Sequence, residues 1–223
     1  MGSDAMHWGR VTHDQTRKTV RMHPFVVAGT AFVAGAVPFS NFAARRRAGV
    51  DLREVGTGTV SGTSLYNVAG FGPLAVAGVC DVAKGAVGPL LAGRDHPVLG
   101  AIAGGLAVAG HNWSPFLSGA GGRGLSPAIG ALLPRAWPGA AMLLGGMAAG
   151  RVVKQTGLGA FVAQCALVPA LARMKGRDAA LAGACVLAPM LLKRATGNEP
   201  PARRDARIYA RRIVFDYDEP PSP

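Results

Sequence analysis

Charge is scarce in this sequence. Asp, Glu, Lys and Arg make up 16% of its 223 residues, where a soluble domain carries about a quarter. Acid is scarcer still: 12 Asp and Glu stand against 24 Lys and Arg, for a net charge of +12. Cysteines number three, Cys80, Cys165 and Cys185, all inside apolar tracts. Lacking metal-ligand spacing or an oxidising context, they read as small buried hydrophobes, and neither a metal nor another cofactor is expected. Aromatic residues amount to 6%. No aromatic platform is interleaved with the basic clusters, so nucleic acid is not an expected partner.

What the chain does have is long apolar sequence, 49% hydrophobic with a mean hydropathy of +0.25. Charge is gathered into four clusters, Arg10 to Arg21, Arg45 to Arg53, Arg173 to Arg177 and Lys193 to Arg212. A helix crosses a bilayer with about 20 apolar residues, fewer when it is short or re-entrant. Candidate spans are Pro24 to Ala43, Val68 to Ala92, Pro97 to Leu117, Pro138 to Gly150, Gly157 to Ala172 and Ala179 to Leu192, with a half-helix at Ser126 to Leu133. Only helices satisfy their own backbone in lipid, other than closed barrels. The expected fold is therefore all-α, a polytopic membrane helical bundle of six to seven transmembrane helices with short re-entrant or half-helices. Residues 1–23 form a polar, poorly ordered N-terminal segment, 24–192 the transmembrane domain, and 193–223 a basic-then-acidic tail. The first span has the look of a signal peptide, with Ala34 to Ala36 as a cleavage-like site, but the later spans need a membrane in any case. Basic clusters at span ends suit anionic lipid headgroups. Their bias toward one side places the connector after the first span in the cytoplasm, with the N-terminus outside.

Three features carry polar chemistry. The connector "VGTGTVSGTS", Val55 to Ser64, interleaves glycines with hydroxyls. Convergent glycine amides and hydroxyls can cradle an anion, and Arg45, Arg46, Arg47 and Arg53 lie just upstream; a plain flexible linker has the same composition. The spacing Gly56, Gly58, Gly62 is wrong for a dinucleotide turn, and the preceding stretch is too charged for a buried strand. Asp81 and Lys84 sit at i and i+3 within a span, so they either pair structurally or serve a site. Third, "GHNWSPFLSGAGGRGLSP" ends a span at His111 and sets Arg123 among Gly121, Gly122 and Gly124 before the half-helix. An arginine aimed at a helix N-terminus suits a phosphate or carboxylate.

The order of these pieces resembles the bacterial acyl-phosphate:glycerol-3-phosphate acyltransferases, over roughly residues 25 to 135. The family's first motif runs approximately G-S-G-N-x-G-A-T-N-x-x-R. Here Gly56, Gly58 and Thr63 match, Thr57 keeps the serine hydroxyl, Thr59 and Ser64 replace asparagines, Ser61 and Gly62 replace glycine and alanine, and Asn67 stands at the arginine. The family's D-x-x-K-G is intact at Asp81, Lys84 and Gly85. In its G-H-x-x-P-x-F-x-x-F-K-G-G-K-G stretch, Gly110, His111, Phe116, Gly121, Gly122 and Gly124 match, with Ser114, Ala120 and Arg123 at the proline and the two lysines. A later serine motif corresponds to Lys154 or Thr156, and the family's final asparagine to Asn198 by loose spacing.

The resemblance implies an enzyme of phospholipid synthesis in the bacterial inner membrane, its site cytoplasmic. It implies acyl phosphate and glycerol 3-phosphate as substrates and 1-acylglycerol 3-phosphate and phosphate as products. Carried over residue by residue, Thr57, His111 and Arg123 are expected in catalysis. Gly56, Gly58, Thr59, Thr63, Ser64, Lys84, Asp81, Gly121 and Gly122 are expected to bind substrate. No His-x-x-x-x-Asp occurs, so thioester-dependent His–Asp acyl transfer is not supported. The substitutions leave two alternatives: a catalytically altered protein that binds anionic headgroups, or an enzyme acylating another phosphorylated polyol.

Overall fold

The computed structural model describes residues 22–56, 58–201, 203 and 205–217. Among them the chain forms nine α-helices and no strand: α1 (Pro24–Ala36), α2 (Phe39–Ala48), α3 (Gly62–Ala69), α4 (Phe71–Ala92), α5 (Pro97–Asn112), α6 (Leu125–Val152), α7 (Thr156–Lys175), α8 (Arg177–Thr196) and α9 (Ala206–Phe215). Prolines open α1 and α5, where a missing N–H costs nothing. Thr57 and residues 1–21, the greater part of the expected N-terminal segment, lie outside the described residues.

Helix α6 is not one rod. Ala136, between Pro134 and Pro138, leaves the helical region (φ −130°, ψ 40°). The arm 125–135 runs along α4 and α5, with Gly130 against Val82 and Ala131 near Gly104. The arm 137–152 returns along α7, with Gly139 beside Leu167 and Gly150 beside Thr156. The first arm is the half-helix expected at Ser126 to Leu133. Counting both arms, α1, α4, α5, α7 and α8 complete seven passes, and α2, α3 and α9 lie at one face.

Residues 24–48, α4, α7 and α8 are each long and apolar enough to cross a membrane. The 16-residue α5 is shorter, but it sits at the centre, with Gly104, Ala107 and Val108 buried. Without a hydrophobic drive inside lipid, helices associate by close packing of small residues. A Cβ on Gly35 would overlap the Ala107 backbone of α5, and one on Gly110 would overlap Phe32 of α1. Gly85 of the D-x-x-K-G motif meets the Pro127 carbonyl of α6 in the same way, which gives that glycine a packing reason. Large apolar side chains point outward instead, among them Phe25 (81% exposed), Phe71 (72%) and Val79 (70%). That is the pattern of a lipid-facing surface.

Two expectations are corrected here. Cys165 is exposed on α7, on the outward-facing side, while Cys80 and Cys185 are half-buried; the composition of a span does not say which face a residue takes. The segment expected as a tail from 193 begins inside α8, and α9 packs on α7 and α8. The reason is carbonyl capping. Arg194 donates to the Ile213 carbonyl (2.6 Å) and the Gly157 carbonyl (2.9 Å), and Arg212 to the Thr196 and Glu199 carbonyls (3.1 Å each). Cations at helix C-termini are favoured by those otherwise unmatched oxygens.

Candidate functional site

The helix ends of α2, α5 and α8 bring together on one face the described residues of three connectors, 49–61, 113–124 and 197–205. In the first, Asp51 is nearly buried and takes salt bridges from Arg45 and Arg53, the latter at 2.7 Å. Arg53, then Arg45, hold its carboxyl well below the usual carboxylate range against the opposing effect of burial. These two arginines are thus spent on pinning the connector, and the Asn41 side chain accepts from the Leu52 amide at 2.8 Å. Farther on, Ser61 caps α3 by accepting from the Ser64 amide (3.2 Å), and Ser64 Oγ donates to the Thr59 carbonyl (2.9 Å). Both hydroxyls are engaged in shaping the loop. Thr59 is buried, while Thr63 and Asn67 are exposed on α3. Gly56 and Gly58 take positive φ of 60° and 66°, a conformation that a Cβ would strain.

The second connector docks onto the first. The Val60 amide donates to the Gly121 carbonyl at 3.2 Å. Gly122 lies against the His111 imidazole, where a Cβ would clash with Nε2 and approach the Val60 carbonyl. His111 lines a small cavity with Ser40, Val60, Asp81, Gly121 and Gly122. The space amounts to about 10 Å³, room for roughly one water, so a ligand would sit over the loops rather than beneath them.

Asn198 joins all three connectors. Its Nδ2 donates to the Gly58 carbonyl (2.9 Å) and the Gly121 carbonyl (3.0 Å), and its Oδ1 accepts from the Gly121 amide (3.1 Å). Both glycine loops are therefore held by one amide side chain.

The expected charged groups divide between two tasks. Asp81 and Lys84 form a buried pair at 2.7 Å. Asp81 also accepts from Ser40 (3.1 Å), and Lys84 donates to the Val37 carbonyl (2.6 Å) and lies over the Phe39 ring. This pair ties α4 to the α1–α2 corner below the loops. Arg123 contacts Asp216 at 2.7 Å and donates to the Lys193 carbonyl at 2.9 Å, linking the second loop to α8 and the end of α9. Burial pushes the Asp216 carboxyl up while Arg123 and Arg194 pull it down.

A further buried cation lies at this face. Lys193 is 1% exposed, its Nζ lies 5.3 Å from the Trp113 ring centroid, and no carboxylate pairs with it among the described residues. It lies within electrostatic range of His111 and of Arg123. An ammonium taken from water with only an aromatic face for company carries a desolvation cost of several kcal/mol, which an incoming anion would offset. The motif reading did not find it, because in sequence it is one more basic residue at a span end.

A family model described as glycerol-3-phosphate acyltransferase matches residues 25–198. Among curated relatives, a glycerol-3-phosphate acyltransferase of Thermus thermophilus is 41% identical over 106 residues, 46% of this chain and 52% of that protein. One from Shouchella clausii is 36% identical over 103 residues, covering 44% and 50%, and glycerol-3-phosphate acyltransferase 5 of Dehalococcoides mccartyi is 33% identical over 144 residues, covering 64% and 62%. The chain spans about half the length of the first two relatives. Among solved structures, the glycerol 3-phosphate form of PlsY, an integral membrane glycerol 3-phosphate acyltransferase, superposes with a TM-score of 0.69 at 20% identity, covering 77% of this chain and 88% of that one. That likeness is one of fold.

Proposed function

Because the chain belongs to the glycerol-3-phosphate acyltransferase family, we propose that it transfers an acyl group from acyl phosphate to glycerol 3-phosphate at the cytoplasmic face of a bacterial inner membrane. The glycerol hydroxyl oxygen forms a bond to the acyl carbonyl carbon. The bond from that carbon to the phosphate oxygen breaks, and the hydroxyl proton passes to a phosphate oxygen. The products are 1-acylglycerol 3-phosphate and inorganic phosphate. With phosphate already a good leaving group, the protein's work is to hold two anions together and offset their charge.

The observation that carries this reading is the three-way junction at Asn198, beside the unpaired Lys193. Glycine loops 56–59 and 121–124 form the cradle, with Thr57, by its place in the family motif, as a hydroxyl donor. Lys193 supplies the neutralising charge, His111 supports the second glycine loop from beneath through Gly122, and Arg123, Asp81 and Lys84 hold the loops in place. The acyl chain lies among the apolar helices, which is why a phosphate site belongs beside lipid.

The test is turnover by purified protein in detergent with acyl phosphate and labelled glycerol 3-phosphate. Lysophosphatidate and phosphate should appear in equal amounts. Lys193→Met should lower kcat/KM by about 10- to 150-fold, the equivalent of the roughly 1.5–3 kcal/mol of one hydrogen bond to a charged group. No turnover with glycerol 3-phosphate or any other phosphorylated polyol would leave a lipid-binding protein. Turnover that Lys193→Met leaves intact would take the lysine out of the site.

A further inference from the structure

The face opposite the glycine loops carries a second cavity. It lies where the end of α4, the start of α5, the break of α6 and the α7–α8 turn meet, and it measures about 190 Å³. Its charged lining is Arg94, Arg135 and Lys175 against the single carboxylate Asp178. From Asp178 to Lys193 along α8 is about 22 Å at 1.5 Å per residue, so this cavity is separate from the proposed reaction site.

Three observations mark it as more than a set of surface charges. None of its three cations forms a salt bridge, although Asp178 lines the same space, so the positive charge is not offset within the protein among the described residues. One guanidinium nitrogen of Arg135, Nη2, is shut off from solvent and has no hydrogen-bond partner; a buried unmatched donor costs about 1–3 kcal/mol. Arg135 also sits at the break of α6, one residue from Ala136, so the arms of that helix are anchored where this unmatched group lies. Snorkelling toward headgroups explains exposed Arg94 and Lys175. It does not explain a guanidinium of a cavity-lining arginine with one nitrogen taken out of water and left without a partner.

We propose that this cavity binds a phosphate group at the outer face, Arg135 forming the charge-assisted contact from within and Arg94 and Lys175 closing the rim. The surroundings suit a phosphate that carries acyl chains: Leu90, Leu133 and Trp137 are 64%, 47% and 58% exposed and flank lining residues in sequence. A free phosphate ion offers the same oxygens, so the chemistry is shared and the source is decided by experiment. The site needs no turnover and stands whether or not the reaction proposed above is correct.

The full chain is placed in nanodiscs of phosphatidylcholine with a rising fraction of phosphatidylglycerol, and separately in detergent with inorganic phosphate. Bound lipid is read by native mass spectrometry and the thermal midpoint is followed in both arms. Wild type should retain one phosphatidylglycerol, or gain stability with phosphate. Arg135→Gln should weaken the effective arm at least tenfold. Arg94→Gln, an exposed position that does not threaten folding, should weaken it about threefold or more, while the exposed Arg173→Gln on the same face should stay within twofold. A response in the first arm names a lipid, and one in the second a soluble anion; either supports the site. Arg94→Gln and Arg135→Gln both matching wild type, Arg173→Gln causing an equal loss, or wild type responding in neither arm would overturn it.

Discussion

Replacing Asn198 tests whether two glycine loops act as one cradle. Its side chain makes three hydrogen bonds, two donated to the Gly58 and Gly121 carbonyls and one accepted from the Gly121 amide. Asn198→Ala removes all three. At a net value of about 1 kcal/mol each, and allowing water to recover a third of the loss, the junction is weakened by about 2 kcal/mol. If loop alignment is needed in the transition state, kcat/KM falls about 30-fold, since each 1.4 kcal/mol is a factor of ten. Asn198→Asp sharpens the test. It keeps the shape, but it exchanges the amide donor for an acceptor facing two carbonyls and adds negative charge beside the proposed phosphate. It should be at least as damaging as alanine. Both variants are compared with wild type in the labelled glycerol 3-phosphate assay, with thermal midpoints taken in the same detergent. Folded Asn198→Ala protein within twofold of wild type would refute the reasoning, and so would Asn198→Asp more active than Asn198→Ala.

Gly122→Ala puts a Cβ into the His111 imidazole and close to the Val60 carbonyl, and should cut activity at least 100-fold while Gly145→Ala, in open space, stays near wild type. Asp81→Asn leaves Lys84 buried without its carboxylate and should cost about 3–5 kcal/mol of stability. The double variant Asp81→Asn, Lys84→Met should recover most of the thermal midpoint, and restored turnover in it would show the pair to be structural only. Asp51 has a folded-state pKa depressed by Arg53 and Arg45, so its stabilisation is full above its unfolded pKa and is lost as pH falls through the depressed value. The midpoint gap between wild type and Asp51→Asn should therefore hold constant from about pH 6 to 8 and narrow below about pH 4.

The bundle was legible in the sequence because the membrane enforces it. Tracts of apolar residues bounded by basic clusters permit few other folds, and the seven passes correspond to the candidate spans. The shared glycine loops were legible as a motif, but their partners were not. Ser61 and Ser64 counted as anion donors by composition, yet a hydroxyl directly before a helix is its natural cap, which is where Ser61 went, while Ser64, inside α3, turns back to the Thr59 carbonyl. The Arg45, Arg46, Arg47 cluster was read as a source of charge. One of the three turns back to Asp51, only six residues away, a local pairing that any flexible connector favours. Asn198 was visible only as a loose correspondence 77 residues beyond Gly121, because nothing in the intervening spans fixes the register at which α8 ends.

The substituted motif positions and Lys193 bear on the same question, which is where positive charge can reach the loops. At the position of the family's arginine, Asn67 lies exposed on α3. At its first lysine, Ala120 packs beside Leu52, Leu65 and Leu117 in an apolar cluster. At its second, Arg123 is taken up by Asp216 and the Lys193 carbonyl. A phosphate over Gly58 and Gly121 would then find no free motif cation within the described residues. Charge in a low-dielectric setting does not have to come from one fixed position, only from within a few ångströms of the anion. On the proposed function Lys193 supplies that charge from the end of α8, where its Nζ lies over the Trp113 ring and within electrostatic range of His111 and Arg123, and its burial makes little sense for a headgroup anchor. On the proposed function, the departure from the family pattern is a relocation of the site's charge from the first connector to α8, with the two glycine loops still joined through Asn198.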